Sequence, residues 1–436
     1  TVGTAFPNGY TYVAYIFASD AGGFGADGSE NIIKCGSYAG NGVADGPEVS
    51  LGWEPQYLLI KASSRASGWY IQDTMRGIPT GGANAKVQAQ EANAEAVSTS
   101  NMNCDVTADG FKITSSSVIS NGSGQTYIYM AIRRPMKTPT AGTEVFNAVL
   151  TSSDTSGATG FPINIGFPVD LAHVKYTTLG VDSLFLNRLT GLTANIGQGM
   201  LRTDTSAAEA STGEVFSGDS NTGYKIYGHN YQRICYGFKR AAGFMDVVAY
   251  TGTGAGLNVA HNLGVAPEMI WVKNRDSSYS WTVYAAPLGT SSWLYLETAG
   301  AASTANNPGF NAIGDTTFGV GSSVAVNGNT QGILAYLFAT LAGVSKVGNY
   351  TGTGADLNVD CGFTAGARYI LIKRTDSAGD WYYWDSIRGI NAGNDPYLLM
   401  NNAAAQVTNT DYIDPLNLGF TATSNGSSTI NVNGGT

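Results

Sequence analysis

Short runs of alternating apolar and polar residues, set off by glycine-rich turns, recur along the whole chain. In Tyr57–Lys61 the residues YLLIK make a brief, mostly apolar strand, and 62–68 form a polar loop. In the WYIQD that follows, Trp69, Ile71 and Asp73 share one face by the two-residue period of a strand. The stretch Tyr57–Gly77, YLLIKASSRASGWYIQDTMRG, is written again at Tyr369–Gly389 as YILIKRTDSAGDWYYWDSIRG. Lys61, Trp69, Asp73, Arg76 and Gly77 thereby superpose on Lys373, Trp381, Asp385, Arg388 and Gly389. A third copy, from Met269, keeps Lys273, Trp281 and Gly289 but carries Ala285 and Leu288 at the Asp and Arg places. A fourth, from Leu171, keeps Lys175 and Gly191, with Ser183 at the Trp place and Asn187 at the Asp place. Self-similarity at a fixed spacing is the signature of a tandem array.

The flanking phrases recur too. NGYTYVAYIFA at 8–18 reads as an Asn-Gly turn and an alternating aromatic strand. It returns as Asn121-Gly122 before TYIYMAI and Asn327-Gly328 before GILAYLFA, with YQRICYGF from Tyr231 in the same slot of the second copy. In each case it closes a unit. Units open with a strand and a glycine turn, as in AYTGTGAGLNV at Ala249 and NYTGTGADLNV at Asn349. A later strand (KVQAQ at Lys86, GMLRT at Gly199, WLYLE at Trp293, YLLMN at Tyr397) leads into an Ala-rich loop. Residues 83–97 have helix propensity, but the Gly, Thr and Asn clusters of the sibling loops would not sustain a helix, so strand then loop is expected. A Gly-Phe or Phe-Gly step precedes the closing hairpin.

Many short strands without amphipathic helices predict an all-β fold: a tandem array of about four antiparallel β-sandwich modules, lectin- or jelly-roll-like, of about 100 residues each. The expected boundaries are a closing strand of a preceding repeat at 1–18, a Gly-rich linker at 19–32, and repeats at 33–138, 144–240, 244–340 and 345–436. The second is divergent and the last lacks its closing strand. The connectors RRPMKTPTAGTE, KRAAG and TLAGVSK read as linkers, which predicts a rod on the order of 130 Å long. The strand Tyr10–Ala18 is a candidate to complete the last repeat of a neighbouring copy.

Composition narrows the partners. Charged residues are 13% of the 436 residues, and Gly at 57 and Tyr at 24 suit turn-rich β structure. With a net charge of −9 and a pI near 4.8, the chain has no general attraction for phosphate backbones, and the cluster Arg133, Arg134, Lys137 does not reverse that. Nucleic acid is not an expected partner. No run of 18 apolar residues occurs, so no membrane insertion is expected. Cys35, Cys104, Cys235 and Cys361 share no repeat position or CxxC spacing and read as free thiols.

Candidate chemistry is sparse. Asp73/Arg76 and Asp385/Arg388 look like an acid with a positioning base, but two of the four repeats have lost Asp, Arg or both while keeping the frame. An ion pair bracing the turn at Gly77 and Gly389 explains them more simply. TGTG at Thr251 and Thr351 precedes a strand, not a helix N-terminus, and so reads as a hairpin turn rather than a phosphate loop. His173, His229 and His261 stand in unlike settings, so neither a zinc site nor a Ser-His-Asp triad is expected, and no catalytic constellation is found. Asp20, Asp27 and Glu30, with Asn31, lie in a glycine-rich loop that is a candidate calcium wrap, with a solvated acidic linker as the plainer alternative. No cofactor is otherwise expected. Trp69, Trp281 and Trp381 recur and read as core. Tyr382 and Trp384, on the other face of their strand, are the candidate platform for stacking on a sugar ring, with packing against a neighbour as the alternative.

Taken together, the glycine-turn opening, the apolar strand ending in Lys, the Trp-x-x-x-Asp-x-x-Arg-Gly run, the Gly-Phe step and the closing YIYMAI strand resemble the tandem β-sandwich repeats of tailed-bacteriophage virion proteins. The likeness covers nearly the whole chain, is clear at 33–138 and 345–436 and is thin in the second repeat. It implies a non-enzymatic structural or host-attachment role at the surface or tail of a virion, in a fibre or appendage. Partners would be other virion proteins, further copies of the chain, and a host surface glycan or protein. A bacterial cell-surface or secreted adhesin or lectin, and a glycan-degrading tailspike, are the competing readings. The motif residues are framework, so the resemblance carries over no binding residue.

Overall fold

The computed structural model describes residues 9–25, 27–98, 101–152, 160–191, 199–211, 216–218, 220–227, 231–304 and 309–436. These fold almost entirely as antiparallel β-sheet, with helix confined to isolated turns such as Val324–Asn327. One strand order recurs. In the first repeat it runs Ile33–Ala39, Thr126–Arg133, Pro55–Ala62, Trp69–Asp73, Asn84–Gln88 and Ala96–Ser98, so the closing strand lies between the opening strand and the first central one. The second repeat has the same order: Phe146–Leu150, Arg233–Phe238, Leu171–Tyr176, Leu184–Asn187, Gly199–Arg202 and Ala210–Ser211. The third follows it through Met245–Thr251, Gly332–Phe338, Met269–Asn274, Thr282–Ala285 and Leu294–Tyr295. The fourth supplies the central strands alone, Tyr369–Lys373, Trp381–Asp385 and Leu398–Leu399. Residues 83–97 begin with the expected strand, Asn84–Gln88, and loop, but the loop ends in a further strand, Ala96–Ser98, that pairs back on the first, with Asn84 opposite Ser98.

A smaller sheet covers one face of each larger one. In the second repeat Ala172, Val174, Leu184 and Leu186 pack against Ile163, Phe216, Tyr224 and Ile226 from the small sheet. Strand alternation then places Leu171, His173, Lys175 and Phe185 on the opposite face. That face is buried as well: every residue of Leu171–Tyr176 is shielded from solvent. Burial on both sides explains why the strand reads as a continuous run without clean alternation.

What covers the second face is other repeats. Phe185, Tyr236, Trp271, Trp281, Tyr336, Trp381 and Tyr383, from the second, third and fourth repeats, belong to one hydrophobic cluster that also runs into the core of the first. The rod expected from the short connectors is therefore corrected: these three repeats lie side by side around shared apolar contents. The connectors are not bare spacers either. Arg134, in the connector after the first repeat, is buried and pairs with Asp170 at 2.7 Å.

Two backbone positions explain recurrent glycines. Gly77, Gly191, Gly289 and Gly389, which end the central hairpin, have φ of +115°, +96°, +68° and +127°, the region that side chains resist. At the Gly-Phe step, a Cβ on Gly110 or Gly419 would sit 2.0 or 2.2 Å from the carbonyl oxygen of Val49 or Val359. The Asn-Gly steps are a different matter. None of Asn121, Gly122, Asn327 and Gly328 has positive φ, so they do not form the tight hairpin turn expected of them. Asn121 and Asn327 instead lie fully buried and accept from the backbone N–H of Asn41 and Thr253, both at 2.8 Å, clamping the opening glycine turn. In the fourth repeat Asn431 holds that place, accepting from Thr353 N at 2.9 Å.

Candidate functional site

The repeat lysine marks where repeats meet. Its strand directs it outward from each sandwich, and its ammonium donates to backbone carbonyls of its own loop or of a neighbour. Lys273 donates to Tyr279 O at 2.6 Å in its own loop and to Ser206 O of the second repeat at 2.8 Å. Lys373 donates to Gly379 O at 2.7 Å and to Ala299 O of the third repeat at 3.2 Å. Lys175 donates to Asn402 O of the fourth repeat at 2.8 Å. Burial lowers the pKa of all three to about 8.

These contacts run in one direction and close on themselves: third to second, fourth to third, second to fourth. A backbone bond repeats the circuit. The N–H groups of Glu209, Ala302 and Gln406 donate to the carbonyls of Arg275, Thr375 and Thr177 at 2.7, 2.8 and 2.9 Å. Each acceptor stands two residues after the repeat lysine. The indole N–H groups add to it, with Trp281 donating to Arg202 O at 2.8 Å and Trp381 to Tyr295 O at 3.1 Å. Hydroxyls complete it: Tyr236 donates to Asp385 at 2.7 Å, and Tyr336 accepts from the Asn187 amide at 2.9 Å. Repeats two, three and four thus form a pseudo-threefold ring.

The Asp and Arg of the motif brace the turn, as the simpler sequence reading had it. Arg76 lies 2.6 Å from Asp73 and Arg388 lies 2.5 Å from Asp385, while each aspartate also accepts from the arginine's own backbone N–H at 2.8 Å. Asn187 does the same for its turn by accepting from Leu189 N at 2.9 Å. Asp385 and its partner Arg388 are buried in the ring.

The first repeat has the same parts and stands outside the ring. Lys61 donates to Ser67 O of its own loop at 2.6 Å and lies 5.9 Å from the centre of the Trp69 ring. Trp69 is 37% exposed, against 0% for Trp281 and 1% for Trp381, so the reading of all three as core fails for this one. The repeat is attached by its other side, through a buried ionic cluster. Arg240 pairs with Glu54 at 2.5 Å and Asp246 at 2.7 Å, and Asp170 receives Arg134 at 2.7 Å and Arg188 at 3.5 Å. Burial alone would raise the pKa of Asp170, but Arg134, Arg188 and Arg240 hold it below the usual carboxylate value. The crevice here, lined by Glu54, Arg133, Arg134, Met136, Arg240 and Asn262, is too tight to admit a ligand.

The remaining candidates are dispersed or enclosed. Trp384 is fully buried in the sandwich core of the fourth repeat, and the half-buried Tyr382 packs on it and on Tyr397 and Tyr412. The open stacking platform is thus corrected to internal packing. Asp20, Asp27 and Glu30 do not converge: they engage Lys34 at 3.7 Å, Ser29 at 2.7 Å and Arg133 at 3.3 Å. Among the described residues no group of three or more His, Cys, Asp or Glu is placed to hold a metal ion. His173 and Ser183 meet at 2.6 Å, a pairing that their spacing along the chain does not signal. Both are buried, and burial, then Lys175 and Arg388, lower the histidine pKa to about 3, so the ring is a neutral part of the core. His261 bonds Gly314 O at 3.1 Å, and His229 lies outside the described residues.

Fold and site define a repeat protein of antiparallel sheets whose shared polar residues serve contacts between repeats. The chain belongs to the family described as a domain of unknown function, DUF7483, whose model matches residues 1–135 and 236–436. The unmatched stretch spans most of the second repeat, where the Trp and Arg of the motif are missing. No curated protein matches the chain.

Proposed function

We propose that this chain is a non-enzymatic structural protein of a virus particle, a fibre or appendage at the surface that takes part in host attachment. The observation that carries the reading is the use made of the shared residues. In repeats two to four the motif lysines, Trp281, Trp381 and Asp385 are spent on holding repeats together, and the nucleophile and base that do meet, Ser183 and His173, are buried in packed side chains. A body of this kind offers mechanical continuity, which suits an attachment organelle better than it suits turnover. The resemblance of the repeat frame to phage virion repeats gives the setting.

Antibodies raised against the chain test it by gold labelling of purified particles, with mass spectrometry of the same particles. The expected result is label on the particle surface or tail. Label on a bacterial envelope and none on particles overturns the proposal in favour of a cell-surface adhesin. Hydrolysis of an envelope glycan that Asp385→Asn abolishes in a still-folded protein overturns the non-enzymatic part.

A further inference from the structure

We propose that the Trp69 face of the first repeat is an assembly surface that takes the first repeats of two further copies of this chain, giving a threefold ring like the one formed by repeats two to four. Ile128 stands where Ile234 and Leu334 stand in their closing strands, each facing the repeat lysine across the ladder. Ile128 is 39% exposed, whereas Ile234 and Leu334 are 0% exposed. Trp69 departs from Trp281 and Trp381 in the same way. A sheet face that three sister repeats bury against one another is here turned to solvent, with Leu59, Ile71 and Met130 half-covered beside it.

Both halves of the ring contact are present on this one repeat. The donating half is Lys61 and the indole N–H of Trp69. The receiving half is read from register: Tyr70 pairs with Gln88 as Leu184 does with Arg202 and Thr282 with Tyr295, so Gln88 holds the carbonyl place that the indoles use. Gln90 accepts from Trp69 N at 2.7 Å as Glu297 does from Trp281 N at 3.1 Å and Asn401 from Trp381 N at 2.9 Å. Five residues after these lie Glu95, Ala302 and Gln406, and the last two supply ring N–H groups. Glu95 N is therefore matched to Ser63 O of the next copy, since Ser63 follows Lys61 by two. A surface with unlike halves assembles head to tail, and the angle set by the existing ring closes at three. Met130 stands at the place of Tyr236 and Tyr336, so the hydroxyl contact to the neighbouring turn is the one element absent.

The proposal does not depend on where the protein acts. Sedimentation equilibrium of the whole chain at tens of micromolar is expected to give three times the 45.4 kDa of one chain. Trp69→Asp and Ile128→Asp, on an exposed face, are expected to leave the circular dichroism spectrum intact and to yield the single-chain mass. In a Cys35→Ser background, Ser63→Cys with Glu95→Cys is expected to give disulfide-linked dimers and trimers on a non-reducing gel, each single cysteine giving no trimer. A chain monomeric at that concentration, an assembly that stops at two, or a trimer that Trp69→Asp leaves whole overturns the inference. So does an assembly lost on deleting 9–18 and unaffected at Trp69, because that is strand exchange.

Discussion

Asp395 is fully buried and accepts from Asn391 N at 2.6 Å, and burial, reinforced by Asp411 and Asp414, pushes its carboxyl up to about 7. From the ordinary value of 3.8 to about 7 the folded chain therefore holds a proton that the unfolded chain has lost. Stability contributed by this group falls as pH rises across that window and stays low above it. The first repeat shows a remedy. Asn84 occupies the equivalent place by strand register and uses both ends of its amide, accepting from Cys104 N at 2.6 Å and donating to Pro79 O at 3.5 Å. Asp395→Asn is expected to stabilise the protein by on the order of 2–4 kcal/mol above pH 7 and by little at pH 4. Urea unfolding at pH 4 and pH 8 measures the difference. At this scale the sequence was informative about position and mute about surroundings. The lysine spacing shows that the four residues are equivalent, but whether Trp384 or Trp69 meets solvent depends on what lies against the sheet, which no residue in the strand encodes.

Strands were the most legible elements, because apolar runs between glycines leave few alternatives and the hairpin phrase at Tyr57 fixes its own register. The Asn-Gly steps misled because a buried asparagine that clamps a neighbouring turn and an asparagine that makes a turn carry the same letters. The lysine-bearing strands yield a further expectation. Lys175 and Lys273 are wholly buried, and their pKa falls from 10.5 to about 8 through desolvation. Between those pH values the unfolded chain binds the proton and the folded chain does not, so stability rises with pH. Above about 10 the buried tyrosines, whose pKa burial raises, act in the opposite sense. Chemical denaturation from pH 7 to 11 is expected to show a maximum between 9 and 10. Replacing both lysines by methionine flattens the rise.

For the molecule as a whole the ring was illegible, and for a physical reason. Its acceptors are main-chain carbonyls at Ser206, Ala299 and Asn402, which any residue type supplies, so the pairing leaves no trace in composition. The cluster that fixes the first repeat to the rest is likewise scattered through the chain, from Glu54 to Asp246. Three guanidinium groups and three carboxylates balance there in near-complete burial. Removing one partner leaves an uncompensated charge, so Arg240→Ala is expected to cost about 3–5 kcal/mol, seen as a lower unfolding midpoint. Replacing Trp69 by alanine in a single chain is expected to cost far less.

Because every repeat in the closed circuit gives to one neighbour and takes from the other, the circuit has a sense of rotation and a fixed membership. A gene that gained or lost one such unit would leave a donor without a receiver. Variation in repeat number is therefore expected to fall outside the circuit, where the first repeat stands, and the covalent joining of the three frees each to drift in sequence, since none has to fit a copy of itself.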